Sequence, residues 1–438
     1  FTKVLADFLS VFYLLTLVFK PRNFPYTNTL ATIMTKKITF TLISTFSFLL
    51  SFAQLKTEID YVKENTYYFE INKSNIIGGG ADILRKSIEE SQFFVLGEEH
   101  FSAKVSEFTN AIIPILSKEN YKYFVAEIGP NSASKISNII KENNSLYKFN
   151  SEINNLVGEV PVPFFDGIED EVFLKNAINR GFEIWGIDQE YLSSQIFLID
   201  EIYNLSENKS KLYNSYKKTK DYLITETKKG RENNKYKLFT ELSNSLMVNH
   251  FFQNTESTNS KVQKIISDLK DSWEVYRLRE INDIYSSYHK RVNMLKSNFI
   301  DYYSQATKTD TLPKAIIKIG GVHAAKGRSL HNIFDVGNFI MELANFNRQK
   351  STSVLIFPSA YINENYSIES NIDKEDEIFI KPLLNEAKGR WTLIDLKKID
   401  EYSWKNKIEY KSLKDYMHRF DYLILTPPSK ATTLNFKN

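Results

Sequence analysis

Ionisable side chains follow directly after four short apolar runs, and their types are those used in acid–base and metal chemistry. The run Phe93–Leu96 ends at Gly97 and is followed by Glu98, Glu99 and His100. Short runs rich in Phe, Val and Ile predict buried strands. Acids and histidines at strand ends are the usual position of site residues in α/β proteins. The other three runs and the residues that follow them are Tyr123–Ala126 with Glu127, Phe182–Ile187 with Asp188, and Ala315–Ile319 with Gly320, Gly321, Val322 and His323.

Two histidines have the same Gly-x-x-His spacing after their predicted strands, namely His100 and His323. A single Glu-Glu-His run more often caps a helix and packs its histidine, but the repeated spacing favours a functional cluster. With Glu127, the two imidazoles could form a general acid–base cluster. They could equally form a His-His-Glu metal site for Zn²⁺ or Mn²⁺. The residue types alone leave both alternatives open.

Three further acids are candidates for substrate binding. Successive side chains of an extended backbone point to opposite faces, so at most two of the residues from Glu98 to His100 can enter one pocket. Glu99 is predicted to contact substrate. Asp188 and Glu190 follow the third strand, and their alternative roles are a helix N-cap and a surface acid. The sequence contains no Gly-x-Ser-x-Gly motif, so a serine-hydrolase triad is not expected.

The order of the predicted elements, β-α-β-α, predicts an α/β fold with a mostly parallel central sheet and helical crossovers. Residues 191–307 contain one glycine and no proline, and Leu, Ile and Tyr recur at three- and four-residue spacing. This pattern predicts a long α-helical insertion that caps the sheet. The segment Gln54–Asn75 is predicted to form a lead-in helix and a loop. Further strands are predicted at Ser353–Phe357, Thr392–Leu396 and Tyr422–Leu425.

The N-terminal segment has the pattern of a secretory signal peptide over residues 34–53. Lys36 and Lys37 precede the apolar run Ile38–Leu50, and small residues stand at positions suited to cleavage after Ala53. The mature chain is then predicted to begin at Gln54 and to form a single α/β domain over residues 54–438. We expect it to be periplasmic or secreted.

Residues 1–33 lie upstream of this predicted signal, and we interpret them as a non-native segment. The rival interpretation is a membrane anchor at Leu9–Phe19. That apolar run is shorter than the roughly 20 residues that a membrane-spanning helix needs. We therefore expect no membrane association after cleavage.

The charge and the cysteine content exclude several classes of protein. The full chain carries a net charge of +3, and residues 1–53 contribute five cations against Asp7, or +4, which leaves about −1 for the mature chain. A nucleic-acid-binding protein would carry a concentrated basic surface, so no such partner is expected. The chain has no cysteine, so disulfides, a thiol nucleophile and a lipid-bearing cysteine are excluded. The expected partner is a small-molecule or peptide substrate.

Several segments together resemble the erythromycin esterase-like proteins, which form a superfamily with the ChaN haem-binding proteins and the Tiki/TraB proteins. The resemblance extends over roughly residues 90–430. The esterases usually have two residues between the first glutamate and the histidine, whereas only Glu99 separates Glu98 from His100 here. This shorter spacing resembles that of the Tiki/TraB proteins. The segments that carry this resemblance are LGEEHFSAKVSEF, YFVAEIGP, IWGIDQEY, YRLREIND, KAIIKIGGVHAAKG and DVGNFIMELA.

The resemblance implies a hydrolase that acts on ester or amide bonds with a His/Glu cluster, and the signal-peptide pattern implies that it is exported. Its catalytic residues by that resemblance are His100, Glu98, Glu127, Arg279 and His323. If the enzyme is metal-dependent, the ligands are His100, Glu127 and His323. The alternative is a non-enzymatic protein of the ChaN type that binds haem or another small ligand.

Arg279 has two interpretations. It lies among alternating arginines and glutamates, which usually form a solvated helix face. The acids at the strand ends would, however, repel one another without a cation nearby. We therefore predict that the Arg279 guanidinium lies in the main cleft, within about one side-chain length of Glu127 or His323.

Overall fold

The computed structural model describes residues 57–73, 75–255, 259–370, 387 and 389–437. The predicted upstream segment 1–33, the signal peptide 34–53 and the alternative anchor Leu9–Phe19 lie outside these residues. No helix within the described ranges is both long and apolar enough to cross a membrane.

The described residues form both helices and strands, with a long run of helices between β5 and β6. The helices are α1 (Glu58–Glu64), α2 (Gly79–Glu90), α3 (Ala103–Lys118), α4 (Pro130–Asn143), α5 (Tyr147–Val157), α6 (Ile168–Asn179), α7 (Gln195–Leu205), α8 (Lys209–Glu232), α9 (Leu238–Asn244), α10 (Leu246–Thr255), α11 (Ser260–Glu280), α12 (Ile284–Ala306), α13 (Val336–Phe346), α14 (Leu396–Ser403) and α15 (Lys411–Met417). The strands are β1 (Thr66–Asn72), β2 (Asn75–Ile77), β3 (Ser91–Glu98), β4 (Tyr123–Ala126), β5 (Glu183–Gly186), β6 (Ala315–Gly320), β7 (Lys350–Pro358), β8 (Ala360–Ile362), β9 (Ile368–Ser370), β10 (Trp391–Asp395) and β11 (Tyr422–Thr426).

In the described part of the chain, a nine-stranded sheet in the order β2-β1-β10-β11-β7-β3-β6-β4-β5 forms the centre of the fold. The strands from β11 to β5 run parallel to one another. The strands β2, β1 and β10 extend this sheet in an antiparallel manner. The prediction of a mostly parallel central sheet with helical crossovers is therefore confirmed.

Apolar side chains bury both faces of the sheet. In β3, Phe94 and Leu96 enter the core on one face, and Phe93 and Val95 enter the core on the other. Each fully buried side chain of this size stabilises the fold by roughly 1.5–3 kcal/mol. Parallel strands covered on both faces are near-continuous apolar runs, which is why the sequence predicts them well.

The segment before Gly78 differs from the prediction. The lead-in helix is α1, but the predicted loop contains the strand β1, which pairs with β10 from the far end of the chain. Its residues Thr66–Asn72 mix polar and apolar side chains, and only Phe69 of this strand is fully covered. The apolar signal is therefore weak, and pairing with β10 decides the conformation.

The chain between β5 and β6 is helical, from α7 to α12 in the described residues. This confirms the predicted helical insertion. Its last helix, α12, packs against β5 and α13. Phe299 and Tyr303 of this helix pack on one face of the sheet. Its Arg291 reaches the acids at the carboxyl ends of the parallel strands, where the predicted site residues lie.

Candidate active site

The predicted site residues meet at the carboxyl ends of three neighbouring strands. In the sheet β6 lies between β3 and β4, and Glu98 of β3 is in register with Gly320 of β6. Because parallel strands end at one edge of the sheet, the residues that follow them converge there. The cluster consists of Glu98, His100, Glu127 and His323, and Glu127 lies at its centre.

Glu127 contacts both histidines and two fixed hydrogen-bond donors. Its Oε2 atom lies 3.5 Å from His100 Nε2, and its Oε1 atom lies 3.7 Å from His323 Nε2. The backbone N–H of Gly320 donates to Oε2 at 2.5 Å, and Arg291 Nη2 donates to Oε1 at 2.7 Å. The side chain is almost completely buried. Glu127 is therefore held rigidly with one imidazole on each side.

A carboxylate contacts the Nδ1 atom of each histidine and orients its ring. His100 Nδ1 lies 3.1 Å from Glu98 Oε1, and His323 Nδ1 lies 2.9 Å from Asp335 Oδ2. The carboxylate accepts a hydrogen bond from the Nδ1–H group, so the Nε2 atom faces the site. Asp335 is itself fixed, because it caps α13 by accepting from the backbone N–H of Val336. The sequence analysis did not identify Asp335.

Arg291 of α12 contacts two of the acids at the strand ends. Its Nη2 atom bridges Glu127 and Asp188, at 2.7 Å and 2.5 Å, and its Nε atom donates to Asp188 at 3.0 Å. The Asp188 carboxylate also accepts from the backbone N–H of Gln189. The sequence analysis assigned such a role to Arg279 and missed Arg291. Asp188 therefore fixes Arg291 and, through it, Glu127.

The charges around Glu127 and His323 set their protonation. Burial alone would raise the pKa of the Glu127 carboxyl, but His323, Arg291 and His100 together hold that pKa below its usual value. Burial alone would likewise lower the pKa of His323, but its hydrogen bond to Asp335 and the charge of Glu127 raise it. The cluster thus favours an ionised carboxylate beside a protonated His323.

A buried lysine forms an ion pair with Glu98. Lys318 of β6 is only 6% exposed, contacts Glu98 Oε1 through Nζ, and lies 5.1 Å above the centre of the Phe173 ring. Burial alone would raise the pKa of Glu98, but Lys318 and His100 hold it below its usual value. Asp170 lies nearby and accepts a hydrogen bond from the Ser106 hydroxyl. Lys318 therefore keeps the carboxylate that orients His100 ionised.

Two phenylalanines flank the His100 ring at the edge of the site. The ring stacks on Phe164 with centroids 3.9 Å apart, and Phe101 contacts both rings. Both phenylalanines have left-handed backbone conformations, with φ 66°. Bulky residues rarely adopt this conformation, and such strain is concentrated at functional sites. The His100 side chain remains 24% exposed, so solvent can reach it.

A cleft of about 190 Å³ opens beside Glu127. Arg279 contributes to its lining and is mostly exposed, so it lies at the cleft surface. Within the described part of the chain, its guanidinium forms no ion pair. Arg279 therefore lies in the same cleft as Glu127 while Arg291 provides the direct contact. The lining residues are Glu127, Ile128, Gly129, Ser132, Pro163, Phe164, Asp188, Gln189, Tyr191, Tyr276, Arg279 and Arg291.

Glu99 and Glu190, the other two predicted substrate contacts, lie outside this lining. Glu99 borders a separate cavity of about 380 Å³, and its carboxylate accepts a hydrogen bond from Tyr361. Glu190 is buried and binds the N-terminus of α4, where it accepts from the Asn131 N–H and the Ser132 hydroxyl. The structure gives Glu190 the geometry of a structural anchor for α4.

The predicted metal ligands do not fit a bound cation. Each oxygen of Glu127 already accepts one hydrogen bond, from the Gly320 N–H and from the positively charged Arg291 guanidinium. A positive guanidinium at 2.7 Å from a ligand oxygen would repel a divalent ion. Across the described residues, no group of three or more His, Asp or Glu side chains is arranged to hold a metal. We therefore derive no chemistry from Zn²⁺ or Mn²⁺.

Two buried acids predict a specific dependence of stability on pH. Burial raises the pKa of Asp170 to about 7 and that of Glu190 to about 7. The folded protein therefore binds more protons than the unfolded chain between about pH 4 and pH 7, so both acids make unfolding easier as the pH rises through that range. We expect the Tm to be lower at pH 8 than at pH 5.

Amide variants provide the check on this pH dependence. Asp170→Asn and Glu190→Gln should each flatten the Tm-against-pH curve and have their main effect at pH 8. The exposed Asp82→Asn should leave the curve unchanged, because Asp82 lies in solvent. A wild-type Tm that rises steadily from pH 5 to pH 8 would contradict the assignment.

Comparison with solved structures identifies the class of fold. A mutant of the erythromycin esterase EreC in its open conformation matches with a TM-score of 0.53 and 14% identity, over 85% of this chain and 100% of that chain. A protein of Bacillus cereus matches with a TM-score of 0.52 and 14% identity, over 86% and 99% of the two chains. The chain therefore has the fold of the erythromycin esterase-like proteins, as the resemblance indicated. At such identities the likeness shows the fold alone.

The remaining comparisons are more distant. The haem-binding ChaN of Campylobacter jejuni matches with a TM-score of 0.30 and 11% identity, over 82% of this chain and 96% of that chain. This similarity is too low to support the haem alternative, which stays a prediction. The sequence matches no protein-family model. It also matches no curated protein.

Proposed function

We propose that the protein is a hydrolase of ester or amide bonds in which His100 activates a water molecule. The observation that carries this proposal is the Glu98–His100 pair, in which Nδ1 faces Glu98 and Nε2 faces the site beside Glu127. This arrangement is that of a general base whose ring is oriented by an acid. His100 is accessible to solvent, whereas His323 is buried.

The proposed reaction begins with transfer of a water proton to His100 Nε2. The hydroxide oxygen forms a bond to the carbonyl carbon, and the carbonyl oxygen takes the negative charge. Collapse of this intermediate breaks the ester C–O or amide C–N bond. The proton on His100 then passes to the leaving group, which restores the neutral imidazole. The net reaction adds one water and releases an acid and an alcohol or amine.

The other residues of the cluster have separate roles in this proposal. Glu127 accepts a hydrogen bond from the attacking water and stabilises the imidazolium that forms at His100. Asp335 and Glu127 raise the pKa of His323, which favours its protonated form beside the reaction centre. Arg279 contacts the anionic part of the substrate at the cleft surface, since its planar fork suits a carboxylate or an oxyanion.

Water is the favoured nucleophile because the serine in the cleft lining is already engaged. The Ser132 hydroxyl donates to Glu190 Oε2 at 2.5 Å. Neither histidine is its hydrogen-bond acceptor, and Glu190, which does accept from it, is a buried anchor of α4 outside the cleft lining. The cleft volume of about 190 Å³ is below the roughly 300–1,000 Å³ of pockets that enclose a whole drug-sized ligand. We propose that the substrate is small, or that only a narrow end of a larger substrate enters the cleft.

We also propose that the enzyme works outside the cytoplasm, as a periplasmic or secreted protein. This rests on the signal-peptide pattern over residues 34–53. The chain lacks cysteine, so its stability does not depend on the redox state of the compartment.

The proposal is tested by hydrolysis of a panel of p-nitrophenyl esters of increasing acyl length and of matching anilides. The protein should begin at Gln54. We expect turnover above the buffer rate for at least one short-chain member. A parallel titration with haem checks the alternative, because binding would shift the Soret band. Haem binding without turnover of any panel member would contradict the proposed function.

A further inference from the structure

Tyr288 brings a free hydroxyl group to the candidate active site. It lies on α12 three residues before Arg291, so both side chains project from the same side of the helix. Its ring is nearly parallel to the His323 ring, at an interplanar angle of 15° and with centroids 5.9 Å apart. A second ring contact joins it to His331, with centroids 4.8 Å apart.

The Tyr288 hydroxyl oxygen is buried and has no hydrogen-bond partner among the residues that the structure describes. Such groups are rare in folded proteins, because a buried polar atom loses its bonds to water without replacement. A phenylalanine would fill the same space without this cost. The described residues therefore supply no partner that would account for this buried hydroxyl group.

Ionised groups of the site surround this hydroxyl. The charges that act on it are those of Asp335, Arg291, Glu127 and Arg279. Burial and the charges of the two acids raise the pKa of Tyr288 above its usual value. The phenol thus keeps its proton at neutral pH and is a hydrogen-bond donor.

The donor groups of the neighbouring Arg291 side chain are already used. The Arg291 guanidinium is shared between Glu127 and Asp188. The Tyr276 hydroxyl, which belongs to the cleft lining, accepts a hydrogen bond from the Gln189 side chain. Tyr288 remains as a buried, neutral and unengaged donor next to the His323 ring.

We propose that Tyr288 is a catalytic residue whose hydroxyl group donates a hydrogen bond to the substrate carbonyl oxygen as that oxygen becomes negative. The inference rests on the proposed hydrolase function. A donor that is already oriented before the reaction binds the tetrahedral oxyanion more strongly than the ground-state carbonyl, which lowers the barrier. No proton needs to leave the phenol, and its raised pKa is suited to this role.

The matched test compares two Tyr→Phe variants on the same helix. Tyr288→Phe should lower kcat by about 10²–10³-fold, the usual effect of losing one oxyanion donor, with little change in KM or Tm. Tyr303→Phe removes a hydroxyl that does have partners, Gln92 at 3.1 Å and Asn347 at 2.8 Å. This control should lower Tm and leave kcat unchanged. Equal kcat values for wild type and Tyr288→Phe would overturn the proposal.

Binding of phenylphosphonate, a stable tetrahedral oxyanion, separates this inference from the hydrolase proposal. Calorimetry should give an affinity for wild type that falls about tenfold or more in Tyr288→Phe and is retained in Tyr303→Phe. That result without any turnover would support the Tyr288 donor and contradict the hydrolase function. Absence of binding to wild type, or equal binding to both proteins, would overturn the role of Tyr288.

Discussion

Replacing His100 by Ala is expected to lower kcat by about 10²–10⁴-fold, which is the usual contribution of a positioned general base. Added imidazole should restore part of the rate, because the substitution leaves space beside Phe164 where the ring stacked. The fold should be nearly unaffected, since the His100 side chain is 24% exposed and lies at the edge of the site. The measurement is kcat with and without imidazole, together with Tm.

The control for this experiment is His250→Ala. His250 is exposed on the helical insertion, away from the strand ends, so its loss should change neither kcat nor Tm. A fall in Tm of more than roughly 8 °C in His100→Ala would exceed the effect expected for about 1 kcal/mol. Such a fall would indicate that His100 has a packing role instead.

Replacing Arg291 by Met is expected to cost about 3–5 kcal/mol of stability, because it leaves buried carboxylates without their cation. Glu127 and Asp188 are both buried and both accept hydrogen bonds from this guanidinium. Activity should fall as well, since Glu127 would no longer be fixed between the two histidines. Denaturant unfolding measures the change in stability.

Two further variants isolate the charge effect in this prediction. Arg277→Met removes a partly exposed ion pair with Glu274 and should cost no more than about 1 kcal/mol. Adding Asp188→Asn to Arg291→Met should recover part of the lost stability, because one unpaired buried charge disappears. Equal stability losses for Arg291→Met and Arg277→Met would contradict a buried role for Arg291.

The sheet could be predicted from the sequence because its central strands are buried on both faces. The run Ala315–Ile319 predicted the strand observed as Ala315–Gly320, and Tyr123–Ala126 matches its strand exactly at both ends. Once these strands are taken as parallel, the convergence of Glu98, His100 and Glu127 follows from topology. Strand ends alone therefore predicted the central part of the site.

Arg291 was missed because tertiary packing decides which cation of α12 faces the sheet. Lys290 and Arg291 are adjacent, yet Lys290 pairs with Asp271 and Arg291 points to the acids at the strand ends. A signal did exist in the helix. Arg291 lies four residues from both Ser287 and Leu295, which are buried on the inner face of α12. A charged residue within such a buried stripe predicts a paired, buried cation.

Lys318 carried a similar signal that the sequence analysis did not use. It is the single charged residue within the apolar run Ala315–Ile319. A charged side chain in a strand that is covered on both faces requires a buried partner, and the structure supplies Glu98. Asp335 gave no comparable signal, because its contact with His323 depends on how the chain folds after β6.

The most direct test of the central claim, that water activated by His100 is the nucleophile, is pre-steady-state hydrolysis of the best ester from the panel. Direct attack by water predicts that p-nitrophenol forms linearly from the first turnover and that the intact protein keeps its unmodified mass throughout. A burst of p-nitrophenol equal to the enzyme concentration, together with an acyl group on the protein, would contradict the account.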